Sequence, residues 1–531
     1  MADRSIFQRL DFFLLPLILI FTAVYYFIFY DFDLPPSEDA AMLIRYARNW
    51  ADGHGITWNP GEAPLDGATD FLFMAVVAIF LKTGIPVSWA AKTIAAAAHF
   101  LTVFIVFRMN RRDCRSDLFS ASLSAAYIAI GPGLVYIEAS FGTTMFALFS
   151  LLAWREAVKI MENGYQYSSS ALFGLFALLS SLTRPEGVFL CGLILLAIVW
   201  KRGLSGARSF RTMIVMVLIL PGMAYFFWRW HYFGHPLPNP YYIKGSGSIY
   251  LFSLRKSVEH ILILALPFLP TFLPGLFQSD MRKKLFALVI PVAGFAMVWI
   301  LISNAMNYYM RFQYVLLPIL LVSWYPFGGK IWDSVAKSPL SKLIPPYIRP
   351  AIILLILFSF PLLWQHFRYG YDKRLHRDGR HELGTALAEI KPGQLTMAVS
   401  EAGNLPLFSG WRTLDTWGLN DRRIAEEGAL SKEYLRELNP DLVMFHDGKS
   451  PMFPRENIDP AWGKMVDTME EFLKENPYEL VGAFAVLPTN THYYYVRTTS
   501  VGASEIRNLI GNFEYMSHET GEICNNYMEK P

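Results

Sequence analysis

Two adjacent carboxylates near the amino terminus are the first residues in this sequence whose type and spacing suit chemistry. Glu38 and Asp39 follow a Pro-Pro pair and Ser37, a pattern that predicts a helix beginning at Glu38 with Ser37 as its cap. The dipole of such a helix favours ionised acids in its first turn. An ionised carboxylate at a bilayer surface is suited to act as a general base or a metal ligand. The alternative is that both are ordinary first-turn acids.

The residues after this pair form the rest of a long polar loop. The pattern AAMLIRYARNW is amphipathic, which predicts an interfacial helix with Arg45 and Arg48 facing lipid headgroups. In the following GHGITWNPGE, His54 is a candidate ligand or base, and the ring of Trp58 is a candidate stacking surface for a sugar. A structural turn explains each of these residues equally well when it is taken singly.

Three further cations lie near the ends of apolar segments. Arg184, in LTRPEG, either pairs with Glu186 or binds a lipid phosphate through its guanidinium. Lys244, in the proline-rich GHPLPNPYYIKG, is a candidate phosphate contact, and Tyr242 beside it either packs on a lipid or sugar or belongs to an aromatic belt. Arg311 either binds phosphate or snorkels to the membrane surface.

The composition indicates which elements position these groups. The chain has 531 residues, of which 53% are hydrophobic and only 17% charged, which argues against both an ordinary soluble enzyme and a disordered chain. Residues 1–368 contain 30 Lys and Arg against 19 Asp and Glu, and residues 369–531 contain 17 against 25. The basic part also holds nearly all the long apolar runs, so its charge is better explained by cytoplasmic loops than by nucleic acid.

Hydropathy predicts an α-helical polytopic membrane protein with about 11–13 transmembrane helices. Basic clusters between the apolar runs predict a cytoplasmic amino terminus, with the first loop (31–70) and the carboxyl-terminal part outside the cytoplasm. The first apolar run lacks a small-residue cleavage site and is interpreted as a retained signal anchor. The segment 71–82 is only about 12 residues long and is interpreted as re-entrant or interfacial, with a short true crossing as the alternative. The candidate crossings are 12–30, 89–107, 118–136, 139–154, 170–183, 186–200, 211–230, 258–278, 285–302, 311–326 and 349–366.

The acidic part, 369–531, predicts a small soluble α/β domain. LTMAVS, DLVMF and THYYYV have the composition of strands, and segments near 380–390, 431–438, 461–475 and 503–511 have that of helices. The domain division is therefore 1–368 for the transmembrane part and 369–531 for the outer domain. Three cysteines lie far apart and predict neither a disulfide framework nor a zinc site. Nucleotide-binding, zinc-protease and serine-hydrolase motifs are absent from the sequence.

Several of these strings together resemble a known family. SEDAAMLIRYARNWADGHGITWNPGE followed by LDGATDFL is similar to the first-loop signature of the polytopic glycosyltransferases of the C superfamily (GT-C), which include the terminal arabinofuranosyltransferases of bacterial cell walls. LTRPEG, GHPLPNPYYIK, RFQYVLLP and AVSEAGNLPLFSGWRTLDTWGLNDRRIA are also similar to family segments. Glu38-Asp39 stands for the family's Asp-Asp, and Asp66-Gly67 stands for its Glu-Gly. Three positions depart from the pattern: Glu38, Ala41 and Thr143.

The resemblance implies a GT-C-like fold and an activity. Family members transfer a sugar, such as arabinofuranose or a hexose, from a polyprenyl-phosphate donor to a glycan or lipid acceptor outside the bacterial cytoplasmic membrane. It implies that Asp39 is the base, that Arg184, Lys244 and Arg311 contact the donor phosphate, and that Asp66 joins the sugar- or acceptor-binding candidates. A single base candidate predicts inversion at the anomeric carbon. Two adjacent carboxylates are too few oxygen ligands to predict a metal site, so a divalent cation stays an open alternative.

Three other functions fit parts of the pattern. A transporter or flippase for a lipid-linked sugar predicts inverted repeats and charges deep within helices, whereas the sequence shows no repeat and its charges lie at helix ends. A non-catalytic glycan-binding membrane protein predicts loss of the loop acids, yet Asp39 is present. An oligosaccharyltransferase acting on protein predicts a larger soluble domain and a WWDYG motif, which the sequence lacks.

Overall fold

A computed structural model was used to describe the architecture. The chain folds into a helical part followed by a small mixed α/β domain, in agreement with the fold class expected from the sequence. The description that follows covers residues 2–244, 249–302, 307–329, 379–390, 394–447, 460–487, 490–513, 515–516 and 523–524.

The helical part is built mostly of apolar helices that follow the hydropathy pattern closely. Four short turns of π or 3-10 type interrupt or join them, at Met109–Asp113, Ile214–Ile219, Leu269–Phe272 and Tyr308–Met310. The helices are α1 (Ala2–Phe29), α2 (Glu38–Ala51), α3 (Phe71–Lys82), α4 (Val87–Arg108), α5 (Leu118–Ala129), α6 (Gly133–Glu138), α7 (Thr143–Asn163), α8 (Tyr167–Thr183), α9 (Glu186–Arg202), α10 (Arg208–Met213), α11 (Leu220–Phe233), α12 (Asn239–Lys244), α13 (Leu251–Ala265), α14 (Pro274–Phe277), α15 (Ser279–Val298) and α16 (Leu316–Ser323).

By length and composition, the described part of the chain contains three helical stretches able to cross a membrane, 87–113, 118–138 and 208–233. A fourth is counted if α13 and the segment Leu269–Phe277, which meet at 90°, form one broken span. The sequence predicts one crossing at 258–278 and does not predict the bend. Pro267 and Pro270 explain the bend because proline cannot continue a helix. The predicted crossing 349–366 lies outside the described residues, and the number of crossings stays a prediction.

Large apolar side chains on the outside of the helical part are exposed in the way a lipid-facing surface requires. Phe27, Trp200 and Phe227 are between 49% and 69% exposed, whereas Phe146 and Leu317 at the helix contacts are almost fully buried. Large apolar side chains are thus buried where helices touch and exposed on the outer surface. This distribution fits a helical bundle surrounded by the hydrocarbon of a bilayer.

The short apolar segment after the first loop is a helix. Helix α3 has 12 residues, which makes it about 18 Å long and too short for the hydrocarbon core of a bilayer. Phe73, Met74 and Val77 are buried against neighbouring helices. The interpretation of this segment as re-entrant or interfacial therefore fits its length and stays a prediction.

The carboxyl-terminal domain has a five-stranded mixed sheet in the order β2-β1-β3-β5-β4. Strands β1, β2 and β3 run parallel, and β5 runs antiparallel to its neighbours β3 and β4. The strands are β1 (Thr396–Val399), β2 (Arg412–Asp415), β3 (Leu442–Asp447), β4 (Tyr478–Leu487) and β5 (Asn490–Arg497), with a separate short pair β6 (Tyr515–Met516) and β7 (Ile523–Cys524). The helices are α17 (Arg380–Leu387), α18 (Asn404–Ser409), α19 (Arg422–Glu427), α20 (Lys432–Leu438), α21 (Pro460–Glu475) and α22 (Ala503–Gly511).

The three strands expected from sequence correspond to β1, β3 and β5, and the four expected helices correspond to α17, α20, α21 and α22. The sequence analysis did not find β2 and β4. Strand β2 is only four residues long and begins with Arg412, and β4 contains Gly482, which is unfavourable in a strand interior. The boundary expected at 368–369 lies outside the described residues.

Helix α2 forms as predicted, but its environment differs from the expected membrane surface. Arg45 is 4% exposed and Tyr46 is fully buried. The helix packs against α18 of the carboxyl-terminal domain. An amphipathic pattern records only that one face is apolar, and here the surface that covers the helix is protein. The expectation that Arg45 faces headgroups is therefore wrong.

Candidate active site

The first turn of α2 sends its two acids to different partners. Consecutive helical residues point about 100° apart, so Glu38 and Asp39 cannot face the same group. Ser37 occupies the cap position with an extended backbone, although its side chain makes no capping bond. The Asp39 carboxylate turns toward the helical part, and the Glu38 carboxylate turns toward the carboxyl-terminal domain.

Asp39 forms an ion pair with Arg311. Its Oδ2 lies 2.5 Å from the NH2 of Arg311, and the two side chains are 26% and 7% exposed. The Arg311 guanidinium carbon lies 4.1 Å from the ring centre of Phe141, which holds the guanidinium plane by a cation–π contact. The Nε of Arg311 is buried without a hydrogen-bond partner among the described residues. The pair thus combines a partly exposed carboxylate with an arginine whose Nε–H has no acceptor among the described residues.

The backbone leading to Arg311 is strained. Tyr309 and Met310 both have a left-handed conformation, with φ of 56° and 62°. Residues with side chains adopt this conformation at a cost of roughly 1–2 kcal/mol each. The Tyr136 hydroxyl donates to the Tyr309 carbonyl at 2.5 Å, which helps to hold the turn. Strain of this kind is typical of functional sites, where the surroundings fix a side chain in place.

Arg184 lies close to the same site but is already paired. Its NH1 is 3.1 Å from Asp70 and its NH2 is 3.2 Å from Glu186. The ring of Phe312 lies 5.1 Å from the guanidinium carbons of both Arg184 and Arg311 and separates the two cations. Two carboxylates on one guanidinium leave a net negative charge, so Arg184 has less attraction for a phosphate than an isolated arginine.

Glu38 joins the first loop to the carboxyl-terminal domain. Its carboxylate accepts hydrogen bonds from the backbone N–H of Gly403 at 2.8 Å, from the N–H of Asn404 at 3.0 Å and from the Asn404 side-chain amide at 2.9 Å. Arg380 lies 3.5 Å away on the same carboxylate. A Cβ at Gly403 would lie 2.6 Å from the Glu38 Cα, so this approach needs glycine. These contacts give Glu38 a structural role, and its expected catalytic role stays a prediction.

A second polar group from the carboxyl-terminal domain completes this side of the site. Glu401, two residues beyond β1, binds Arg380 at 2.9 Å and the Nδ1 of His446 at 2.7 Å. Burial acts to raise the pKa of Glu401, but His446 and Arg380 act more strongly and hold it well below the usual range. Burial and, to a smaller extent, the charges of Asp39 and Glu401 raise the pKa of Tyr308, so its phenol is neutral at neutral pH.

The segment 403–422, which we call the docking segment, fixes the domain to the first loop. Arg45 donates to the carbonyl of Trp411 at 2.8 Å, and it also binds the Asn59 side chain at 2.9 Å. The Trp58 indole donates to the carbonyl of Thr413 at 2.9 Å. Burial lowers the pKa of Arg45 to about 10, which leaves it protonated at neutral pH. Trp58 is 2% exposed, so its ring faces are not available to a sugar, and we leave it out of the site.

The loop 234–244 contacts the other end of the docking segment. The side-chain amide of Asn239 donates to the carbonyls of Gly418 at 2.9 Å and of Leu419 at 3.0 Å. The ring of Tyr242 packs 5.7 Å from that of His235, and Tyr242 is 40% exposed. Tyr242 therefore belongs to this loop, whereas the side chain of Lys244 lies outside the part that the structure describes.

The remaining candidates from the first loop take other positions. The Asp66 carboxylate forms an ion pair with Arg229 of α11, and both side chains are nearly buried. His54 is exposed at a turn and receives a hydrogen bond from Thr57 on its backbone carbonyl. Among the described residues, no group of three or more His, Cys, Asp or Glu side chains is placed to hold a metal ion.

Sequence analysis did not single out Glu401, His446, Arg380, Tyr308 or Phe312. Glu401 lies within AVSEAGN and Phe312 within RFQYVLLP, two of the strings that carry the family resemblance, and this was the available signal for both. His446 comes at the end of a recognised strand, but nothing in the sequence pairs it with a residue 45 positions away.

Comparison with known proteins gives the fold its class. The protein ArnT from Cupriavidus metallidurans, solved with bound undecaprenyl phosphate, matches with a TM-score of 0.56 at 14% identity over 90% of this chain and 97% of that chain. The archaeal oligosaccharyltransferase AglB from Archaeoglobus fulgidus, in complex with an inhibitory peptide and a dolichol-phosphate, matches with a TM-score of 0.51 at 13% identity over 94% and 77%. The apo form of the Archaeoglobus enzyme matches with a TM-score of 0.54.

These likenesses establish that the chain has a GT-C-like fold, as the resemblance implied. Residues 366–501 match the model of a family described as a domain of unknown function, DUF8728, which covers less than half of the chain. No curated protein matches the sequence.

Proposed function

We propose that this protein is a membrane glycosyltransferase that moves a sugar from a polyprenyl-phosphate donor to a glycan or glycolipid acceptor, with Asp39 as the base. The observation that carries the proposal is the Asp39–Arg311 pair, in which a partly exposed carboxylate is held by a buried arginine whose Nε has no hydrogen-bond partner among the described residues. The ArnT and AglB structures, whose fold this chain shares, contain an undecaprenyl phosphate and a dolichol-phosphate. The sugar is a pentose such as arabinofuranose, or a hexose.

In the proposed reaction, Asp39 takes up a proton while the sugar changes its bonding partner. An acceptor hydroxyl attacks the anomeric carbon, the new C–O bond forms, and the bond between that carbon and the phosphate oxygen breaks with inversion. The hydroxyl proton passes to Asp39, and the electron pair of the broken bond leaves with the polyprenyl phosphate. A base positioned in this way contributes about 10²–10⁴-fold to the rate.

Arg311 has two uses in the same step. Before transfer, its positive charge is balanced by the Asp39 carboxylate at 2.5 Å. When Asp39 takes the proton it becomes neutral, and at that moment the departing phosphate gains negative charge. Arg311 therefore exchanges one anionic partner for another, because the NH2 group released by Asp39 becomes a donor for the phosphate. Arg184 contributes only if the donor displaces Asp70 or Glu186 from it.

The proposal includes an orientation in the bacterial cytoplasmic membrane. The amino terminus is cytoplasmic, and the first loop and the carboxyl-terminal domain face the periplasm or its equivalent. The basic clusters support this orientation, because positive loops stay in the cytoplasm. The donor then reaches Asp39 laterally from the bilayer, and the acceptor approaches from the aqueous side.

A transfer assay with matched variants tests the proposal. Purified full-length protein receives labelled polyprenyl-phosphate pentoses and hexoses, with a cell-envelope glycan extract, in the presence and absence of a chelator. Asp39→Asn is compared with Asp52→Asn, which removes a 57% exposed acid just beyond the same helix. We expect transfer by the wild type and Asp52→Asn, with at least a 10²-fold loss in Asp39→Asn.

The other outcomes are equally informative. Equal rates in both variants would keep the enzyme and remove Asp39 as its base. If the wild type neither transfers nor binds any donor, the glycosyltransferase proposal is overturned and transport of a lipid-linked sugar becomes the leading function. A retained anomeric configuration in the product would contradict direct inversion.

A further inference from the structure

Strands β1 and β3 run parallel and adjacent, and their carboxyl ends bring two titratable side chains together. Glu401 lies just after β1, and His446 is near the end of β3. The carboxylate and the Nδ1 of the imidazole are 2.7 Å apart, with side-chain exposures of 22% and 25%. Ligands of open α/β sheets bind at the carboxyl ends of parallel strands. The pair thus lies where such a domain presents functional groups.

The pair is positioned from several directions. Arg380 binds Glu401 through the same NH1 nitrogen that reaches Glu38. The backbone N–H of His446 donates to the Ser400 hydroxyl at 3.1 Å. The indole of Trp462 donates to the His446 carbonyl, also at 3.1 Å. Both members of the pair are therefore held in place, and each keeps about a quarter of its side-chain surface accessible.

Aromatic rings form one wall beside the pair. The ring of Trp462 lies 4.4 Å from the His446 ring, and the ring of Trp417 lies 5.1 Å from that of Trp462. Trp462 and Trp417 are partly exposed. A carboxylate that accepts, an imidazole with a second ring nitrogen for hydrogen bonding and an apolar ring face together match the hydroxyl groups and the C–H faces of a sugar.

The same pair is connected to the helix that carries the proposed base. Arg380 binds both Glu401 and Glu38, and Glu38 precedes Asp39 in the first turn of α2. The subsite therefore lies at the contact between the carboxyl-terminal domain and α2. The carboxylate of Glu401 disfavours a phosphate or another anion at this position, so a neutral polyhydroxyl compound is the fitting occupant.

We infer that Glu401 and His446 bind hydroxyl groups of a saccharide acceptor, with the ring of Trp462 as the apolar wall of the subsite. The inference rests on the proposed function, and it identifies the acceptor of that reaction as a carbohydrate. The ionised carboxylate accepts from two sugar hydroxyls, and the imidazole Nε2, the ring nitrogen that does not bind Glu401, exchanges a hydrogen bond with a further hydroxyl. These residues touch substrate without taking part in bond breaking.

A binding experiment without donor separates this inference from the transferase proposal. Full-length protein in nanodiscs is titrated with the methyl glycosides of arabinofuranose, mannose, glucose and galactose, observed by saturation-transfer NMR. We expect at least one glycoside to bind and its Kd to rise about tenfold in Glu401→Gln and in His446→Gln. Glu475→Gln, which alters an exposed ion pair with Lys432 in the same domain, is the matched control.

Each result decides one of the two proposals. If no methyl glycoside binds the wild type, or if binding is equal in Glu401→Gln and His446→Gln, the saccharide subsite is overturned. If binding depends on Glu401 but no donor is ever consumed, the subsite stands and the transferase proposal fails. Thermal unfolding of each variant is measured first. If Glu401→Gln lowers the unfolding temperature by more than about ten degrees, His446→Gln alone decides.

Discussion

The Oδ2 of Asp39 lies 2.5 Å from the NH2 of Arg311, although the two residues are 272 positions apart in the chain. Arg311 is 7% exposed and lies against the ring of Phe141, so its guanidinium plane is fixed before any ligand arrives. The pair therefore joins an acid from the first loop to a cation held by a strained turn. Its geometry leads to the first prediction.

Replacing Arg311 by lysine keeps the charge and removes the planar fork. We expect a 10–100-fold fall in transfer rate at low donor concentration, because an ammonium cannot hold Asp39 and a phosphate in the same fixed geometry. Initial rates over a range of donor concentrations measure the effect. The control is Arg423→Lys, because the side chain of Arg423 is 37% exposed and forms an ion pair in the carboxyl-terminal domain. Wild-type kinetics in Arg311→Lys would contradict the role given to this residue.

The variant Glu38→Gln should weaken docking while leaving the proposed base in place. One carboxylate oxygen that accepts from Gly403 or Asn404 becomes an NH₂ donor facing another donor. Glu38 is 13% exposed, and the expected cost is about 1–3 kcal/mol. Thermal unfolding measures this loss, with Glu433→Gln, which is 67% exposed, as the control. Complete loss of transfer without any change in stability would instead indicate that Glu38 takes part in the reaction.

Trp58→Phe distinguishes a structural tryptophan from a sugar-binding one. The variant loses the hydrogen bond to Thr413 and weakens the cation–π contact with Arg45, whose guanidinium carbon is 4.6 Å from the ring centre. We expect stability to fall by about 1–3 kcal/mol with donor KM within twofold of wild type. Trp200→Phe, at a 49% exposed position, is the comparison. A large rise in KM at unchanged unfolding temperature would contradict the structural role.

A pH effect is expected from Asp415 at the end of β2. Burial raises its pKa from 3.8 to about 6, although hydrogen bonds from Asn420 and Trp417 act in the opposite direction. Between these two values the folded protein binds more protons at this site than the unfolded chain does. Stability from this group therefore increases as the pH falls through about 6 toward 4. Lowering the pH from 7 to 5 should add roughly 1.4 kcal/mol.

The measurement is the unfolding temperature of wild type and Asp415→Asn at pH 7 and pH 5. The variant removes the titrating group, and the other titrating groups of the protein are common to both samples. We expect the wild type to gain more, or lose less, than Asp415→Asn between pH 7 and pH 5. The same change in both proteins would mean that the pKa of Asp415 is not raised.

The helical part could be predicted in outline because apolar runs and their breaks are local features of the sequence. The segments 89–107 and 170–183 correspond closely to α4 and α8. The bend between α13 and the segment at 269–277 was not predicted, because two prolines within an apolar run do not determine the angle at which the chain turns.

The docking of the carboxyl-terminal domain could not be predicted. The amphipathic pattern of α2 fits a membrane surface and a protein surface equally well, and only the fold brings the carbonyl of Trp411 to Arg45, 366 positions earlier. The candidate site could be predicted in part from the sequence. Asp39 and Arg311 were found as separate candidates, but their pairing depends on the left-handed turn at Tyr309, which has no glycine to mark it.

Several bonds that fix the domain to the helical part run in one direction. Side chains of Arg45, Trp58 and Asn239 donate to main-chain oxygens of the docking segment. A main-chain oxygen is present whatever residue occupies the position, provided that the backbone path is kept. At Thr413 and Leu419, whose main-chain oxygens accept two of these bonds, replacements should therefore be tolerated more often than replacements of the donors. Over evolutionary time these two acceptor positions are expected to change faster than Trp58 and Asn239.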